Sequence, residues 1–363
     1  MPGIITHNFL FHEAVDYLKK KKYRTFLSTS IETLFNTDYY KRAALFGAIG
    51  PNIFDYTPFR RNRSCGSRLS FMLHDGGSAE LLSVMLDKAM AHSDFNTEWA
   101  ATQRAYLYGF ISHIIADAHF HPFMLYWSGF PDSPGRREAA LYREQNLIFQ
   151  YNLDNFFLHY YKEGKFKYNL ESMLPGKNGF GYKGFDSAVK DMLLGSLHDV
   201  FPHFAKKIVW KRGKNPDTAF SNSLGYIDLS RYFITLTYRL KHTRNERLKK
   251  IIQALMRNRF VYLDMLVRYP EPRQLNRHVL NHHRARWVHP AGIPGIRYDS
   301  VEDILRICTA QIGDIWEEIE GMVYGKTENY NHVLKKICIN AFTGDEQAGY
   351  SSLKIKEPVK LRF

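Results

Sequence analysis

His113, Asp117 and His121 stand at i, i+4 and i+8 inside an otherwise apolar stretch, residues 105–127. At 3.6 residues per turn each four-residue step advances a side chain by only about 40°, so the three form one stripe along one helix face. Imidazole is the commonest zinc ligand, and a carboxylate has two oxygens with which to bridge two ions. Leu107, Phe110, Ile111, Ile114, Ile115 and Phe123 mark the same helix as core, where a carboxylate is costly unless it is paired or metal-bound. A divalent cation is the cheapest partner. The competing reading makes both histidines satisfied core residues and pairs Asp117 with an arginine; for the group as a whole the spacing favours metal.

His7 and His74 extend the set. His7 lies at the start of the first expected helix, and His74 sits between Phe71-Met72-Leu73 and Asp75-Gly76-Gly77, at a break before a helix. Two or three zinc ions held about 3.5–4 Å apart would clamp a phosphate, activate water near neutral pH and favour in-line attack on phosphorus.

Helical periodicity dominates the elements that must position these groups, and the fold class is all-α. A first helix with Thr6 as N-cap carries Phe9, Phe11, Ala14, Val15 and Leu18 on one side and ends in a lysine run. Helices follow over 39–49, stopped by Gly50-Pro51, over 78–92, and over 99–121, ended near Pro122. Further helices are expected over 137–161, 185–210, 228–240, 245–267 and 299–322, the last opened by Ser300 and Asp303 as a capping box. Residues 57–70, 128–135, 175–184 and 269–298 read as irregular. The chain, 1–363, is expected to be a single α-helical domain: a metal-binding core over 1–163, a helical insertion or extension over 164–298, and C-terminal helices over 299–363.

The bulk numbers bound the partners. Of 363 residues 45% are hydrophobic, enough for a sizeable core. The formal net charge of +14 favours anions: nucleic acid, anionic lipid head groups or phosphorylated substrates. The basic runs are short and scattered, which favours a solvated surface over a specific nucleic-acid groove. Cys65, Cys308 and Cys338 are far apart with no C-x-x-C pair, which excludes a disulfide framework and suits a reducing compartment. With no secretory signal and no apolar run of membrane-spanning length, the expected location is cytoplasmic, with peripheral contact to anionic membrane. No G-x-S-x-G, glycine-rich phosphate loop or recognisable nucleic-acid module is present. His282, His283 and His289 read as a packed aromatic-basic loop around Trp287, and Glu317, Glu318 and Glu320 as the solvated side of a helix.

Four segments together resemble the zinc-dependent phospholipase C family. They are Thr6-His7-Asn8-Phe9, Gly47-x3-Pro51-Asn52, the isolated His74, and His113-x3-Asp117-x3-His121-Pro122-Phe123. The family pattern reads Thr-His-x-x-Phe, Gly-x-x-x-Pro-Asp, His, and His-x3-Asp-x3-His-Pro-Tyr, then His-x3-Glu-x3-Asp on the next helix. Here that helix has Asn146-x3-Gln150-x3-Asp154. The resemblance covers residues 1–160, with a looser match over 275–322 through Asn281-His282, Trp287 and Pro290.

The resemblance implies a phosphodiester hydrolase with one to three Zn2+ ions and phospholipid or a related phosphodiester as substrate. It implies one ion on His74, His113 and Asp117, a second on His7, the N-terminal region and Asp117, and a third on His121 with residues 146 and 150. The departures bear on activity. Asn52 replaces the family's candidate general base, and an amide cannot accept a proton at neutral pH. Asn146 and Gln150 are neutral, weak zinc ligands, so they mark weak or lost ligand positions. Asp55, three residues after Asn52, is the substitute base if the backbone turns it inward, and otherwise an exposed loop or capping carboxylate. Two other functions stay open: a non-catalytic relative that keeps one structural metal and binds a partner or membrane, and a single-strand nuclease.

Overall fold

In the computed structural model the described residues are 3–21, 23–56, 60–129, 136–161, 185–214, 224–225, 277–326 and 330–354, with isolated positions between 227 and 247. The helices expected over 228–240 and 245–267 and the loop over 175–184 fall largely or wholly outside them. The helices are α1 (Ile4–Lys20), α2 (Phe26–Asn36), α3 (Asp38–Gly47), α4 (Arg60–Met72), α5 (Ser78–Met90), α6 (Glu98–Ser128) and α7 (Arg136–Asn155). After them come α8 (Phe185–Lys190), α9 (Ser196–Val200), α10 (Pro202–Ile208), α11 (Val301–Val323) and α12 (Tyr330–Ile337). Among the described residues strands are confined to two antiparallel pairs of two or three residues, β1 (Val209–Lys211) with β2 (Leu224–Gly225) and β3 (Trp287–Val288) with β4 (Ile296–Arg297). The architecture is all-α, as the periodicity required. Among the described residues no helix is long and apolar enough to cross a membrane.

The centre of the molecule is α6, buried on nearly every side. It does not end before Pro122 but runs seven residues past His121, to Ser128. Proline removes the N–H that would bond the Ala118 carbonyl, at a cost of about 3 kcal/mol in a helix interior. The helix continues because Phe123, Met124 and Leu125 beyond it are all core residues. Gly344, at φ +66°, packs against that same carbonyl, and a Cβ there would lie 2.6 Å from the Ala118 oxygen.

α3 crosses α6 backbone to backbone. A Cβ on Gly109 would meet the Ala44 oxygen at 1.8 Å, and one on Gly47 would meet the Tyr106 oxygen at 2.2 Å. Only glycine at both positions permits this approach. The crossing brings the turn after α3, a 3-10 helix over Gly50–Asp55, onto the His113 face of α6.

Three other departures from expectation have physical causes. α1 starts at Ile4 rather than at Thr6, with Gly3 as N-cap and no side-chain cap of its own. Its cap comes from α7: Asp154 accepts hydrogen bonds from Thr6 N at 2.9 Å and Thr6 Oγ at 2.6 Å. A carboxylate there satisfies an orphan N–H and complements the helix dipole. The segment expected to be irregular over 57–70 is helical from Arg60, where burial of Leu69, Ser70 and Leu73 overrides its polar sequence. The single helix expected over 185–210 runs through a π-turn at Asp191–Gly195 to Val200 and is broken at Phe201, which precedes Pro202 and leaves the α region at φ −127°, ψ 61°.

At the C-terminal end, the capping box at the start of α11 is formed: Ser300 accepts from Asp303 N while Asp303 accepts from Ser300 N. Glu320 is not on the solvated side of that helix. It is fully buried and accepts from Tyr108 Oη at 2.5 Å and Ser30 Oγ at 2.6 Å, with Arg104 Nε 3.4 Å away.

Candidate metal centre

α1, α6 and the π-turn between α4 and α5 each bring their histidines to one point. The π-turn spans Leu73–Gly77, with Asp75 and Gly76 in non-helical conformations, and it presents His74 toward α6. His7, His74, His113, Asp117 and His121 are all buried, none more than 1% exposed.

Four imidazole Nε2 atoms surround the Asp117 carboxylate. His74 Nε2 lies 2.9 Å and His113 Nε2 3.1 Å from Oδ2, and these two nitrogens are 3.3 Å apart. On the other oxygen, His7 Nε2 lies 3.3 Å and His121 Nε2 3.4 Å from Oδ1. The rings of His7 and His113 stack at 3.9 Å with an interplanar angle of 18°. Tetrahedral zinc with bonds of 2.0–2.1 Å sets its ligand atoms about 3.3 Å apart, close to the spacings found here.

The protons are already spoken for. His74 Nδ1 faces Ser70 O at 2.6 Å, His113 Nδ1 faces Ala48 O at 2.9 Å, and His121 Nδ1 faces Ala341 O at 2.7 Å. A carbonyl only accepts, so each Nδ1 carries a proton and each ring turns its Nε2, the ligating nitrogen, toward Asp117. Both Asp117 oxygens, His121 Nε2 and both ring nitrogens of His7 make no hydrogen bond among the described residues. Lone pairs facing a carboxylate repel unless a cation lies between them.

Charge points the same way. Burial pulls the His7 pKa down to about 4, helped by the neighbouring His113 and opposed by Asp117. Burial also lowers His121 well below the ordinary imidazole value, against the pull of Asp117. Burial alone would raise Asp117, but His121, His113 and His7 outweigh it and hold the carboxyl well below its usual range. At neutral pH the cluster therefore has an ionised carboxylate beside two imidazoles, His7 and His121, that resist protonation, in a buried site where uncompensated charge is expensive. His7, His113 and Asp117 offer ligand atoms all within 4.8 Å of one another and could hold a metal ion.

The remaining sequence candidates lie elsewhere around this group. Gly50, at φ +57°, packs on the His113 ring, where a Cβ would come within 2.3 Å of Cγ. Two residues on, Asn52 is buried, and its Oδ1 has no hydrogen-bond partner among the described residues. Asp55 accepts a hydrogen bond from Ser70 Oγ at 2.7 Å, and the Ser70 carbonyl in turn holds His74. Asn146 donates both amide hydrogens to backbone carbonyls, Gly129 O at 2.6 Å and Tyr142 O at 2.8 Å. It ties α7 to the end of α6. Gln150 is half-buried on the same helix. His121, which the resemblance pairs with positions 146 and 150, is held by Ala341, stacks on Phe342, and points at Asp117.

Sequence reasoning missed the groups that orient the candidate ligands: the carbonyls of Ala48, Ser70 and Ala341, and the cap from Asp154 to the turn bearing His7. A carbonyl has no residue-type signature. Asp154 did have one, its place in the Asn146-x3-Gln150-x3-Asp154 stripe. Cys65, Cys308 and Cys338 are free thiols, and His289 with Trp287 forms a buried part of the packed loop, with His282 and His283 exposed. Comparison with family models, curated proteins and solved structures returns no match.

Proposed function

We propose that this chain is a zinc-dependent phosphodiester hydrolase of the phospholipase C kind, acting on phospholipid or a related phosphodiester. The observation that carries the metal reading is the convergence of four imidazole Nε2 atoms on the two oxygens of Asp117. In this reading His74 and His113 would hold one ion and His7 and His121 a second, with Asp117 shared between them. That pairing differs from the three-ion arrangement the resemblance implies, because His121 shares Asp117 with His7. When bound, zinc supplies Lewis acidity toward a phosphoryl oxygen and makes water nucleophilic near neutral pH.

The chain's own residues supply the rest. The carbonyls of Ser70, Ala48 and Ala341 fix three rings in the ligating tautomer. Asn52 Oδ1 is a buried acceptor that can orient a hydroxyl or water but cannot take its proton. Asp55, half-buried and joined through Ser70 to the His74 side, is the carboxylate assigned to proton transfer. The +14 charge favours approach to anionic membrane.

A second reading, a non-catalytic scaffold with a structural metal, is favoured by one observation: the ligands are at most 1% exposed. The full zinc-loaded chain should be assayed on a phosphocholine ester and on single-stranded DNA, beside His113→Ala. Chelator-sensitive hydrolysis of the ester, lost in the variant, supports the proposal. Turnover of DNA alone points to a nuclease, and turnover of neither by zinc-loaded protein points to the scaffold.

A further inference from the structure

The metal centre has a wall supplied by a distant part of the chain. After α12 the backbone turns back over residues 338–350 and lies across the His74 and His121 side of the cluster. Ala341 joins the two ligand-bearing elements: its N–H donates to His74 O at 2.9 Å, and its carbonyl accepts from His121 Nδ1 at 2.7 Å. Phe342 stacks on the His121 ring at 5.1 Å and 21°, and its centroid is 5.7 Å from that of His74. Phe71, 40% exposed, and Tyr350 pack around Phe342 and complete the outer face.

A further anchor of the strap, beside the site, uses a residue that is not a ligand. Asp75 Oδ1, next to His74, accepts from Asn340 Nδ2 at 2.9 Å and from Tyr350 N at 2.6 Å. Asn340 Oδ1 accepts from Phe342 N at 2.9 Å, and Gly344 N donates to Asn340 O at 2.7 Å, so the segment is bonded to itself as well. Gly344 closes on the Ala118 carbonyl left open by Pro122.

We infer that residues 338–350 are a positioning strap whose docking, anchored on Asp75, is coupled to metal binding. The strap turns His121 into a ligand by taking its Nδ1 proton in a hydrogen bond, and Phe342 fixes the plane of that ring. Undocked, His121 would be free to rotate and to carry its proton on either nitrogen. Coupling is reciprocal, so bound metal must hold the strap down as strongly as the strap tightens the metal. Outer-shell partners of metal ligands are commonly worth about 10- to 100-fold in affinity. This inference rests on the metal reading above.

The test uses the full-length protein and Zn2+ alone, with affinity read by competition against a chromophoric chelator and strap docking by hydrogen exchange over 338–350. Asp75→Ala removes both anchors and should weaken zinc about tenfold while exchange over the strap accelerates. Asp75→Asn keeps an oxygen at the same place and should restore most of the affinity. Ser300→Ala, which destabilises the α11 cap away from the strap, should leave affinity unchanged. In wild-type protein, zinc should slow exchange over 338–350. The inference is overturned if Asp75→Ala binds zinc as tightly as wild type with its strap loosened, or if zinc leaves strap exchange unchanged. Failure of the wild type to bind zinc at all would be a different result, removing the metal reading itself and this inference with it.

Discussion

Replacing Asp117 with asparagine separates a metal centre from an ordinary buried ion pair, because the two accounts predict opposite signs in metal-free protein. If Asp117 were paired with a protonated imidazole, removing its charge would cost about 3–5 kcal/mol. In the structure, however, His74, His113 and His121 already commit their Nδ1 protons to carbonyls. In the metal account their Nε2 atoms, within 3.4 Å of the carboxylate, present lone pairs to it. An amide at 117 offers two N–H donors to those lone pairs and removes the buried charge. In chelator the variant should match or exceed wild-type stability, by about 1–3 kcal/mol for two new hydrogen bonds. With zinc at a thousand times its Kd, wild type should gain about 4 kcal/mol. For 363 residues the unfolding entropy is roughly 0.76 kcal/mol per degree, so the rise in Tm is about 5 °C. Asp117→Asn should show no such rise. Urea and thermal melts of both proteins in chelator and in zinc decide the matter. A metal-free variant several kcal/mol less stable than wild type would refute the reasoning.

Three further outcomes follow from particular contacts. Asp154→Ala strips the acceptor from Thr6 N and Oγ; it should cost about 2 kcal/mol in a chemical melt and loosen zinc roughly tenfold, because the freed turn carries His7. Gly109→Ala places a Cβ 1.8 Å from the Ala44 oxygen, and forcing α3 off α6 should cost about 3 kcal/mol or more in the same assay; a loss under 1 kcal/mol would mean that the crossing is looser than described. For His289, burial chiefly and then Arg297 lower the pKa to about 4. The folded state therefore stays neutral where the unfolded histidine protonates, and stability must fall as pH drops from about 6.5 to about 4. Over that window melts of His289→Gln should be flatter than wild type, by up to about 1.4 kcal/mol per pH unit, whereas equal slopes would mean that His289 titrates normally.

What could be read from the sequence was whatever has a residue-type signature or a helical period. The His113, Asp117, His121 stripe named the core helix and three of the groups that meet at the candidate metal site, and Ser300 with Asp303 named the start of α11. Local rules failed where tertiary packing overrode them. Pro122 should stop a helix, yet Phe123, Met124 and Leu125 bury enough to carry α6 through it. Glu320 looked like one of several exposed acids, yet Tyr108 and Ser30 draw it inside. The groups that tune the candidate site were illegible for another reason. Ala341 lies 220 positions from His121, and it acts through a backbone carbonyl that any residue type possesses. Asp154 acts on Thr6 across 148 positions, and only the fold brings them together.

The central claim is tested most directly by counting metal. Protein saturated with zinc, dialysed free of excess and measured by elemental analysis should retain two ions per chain, and His113→Ala should retain fewer. Protein that keeps no metal at saturating zinc, with its fold intact, would contradict the account.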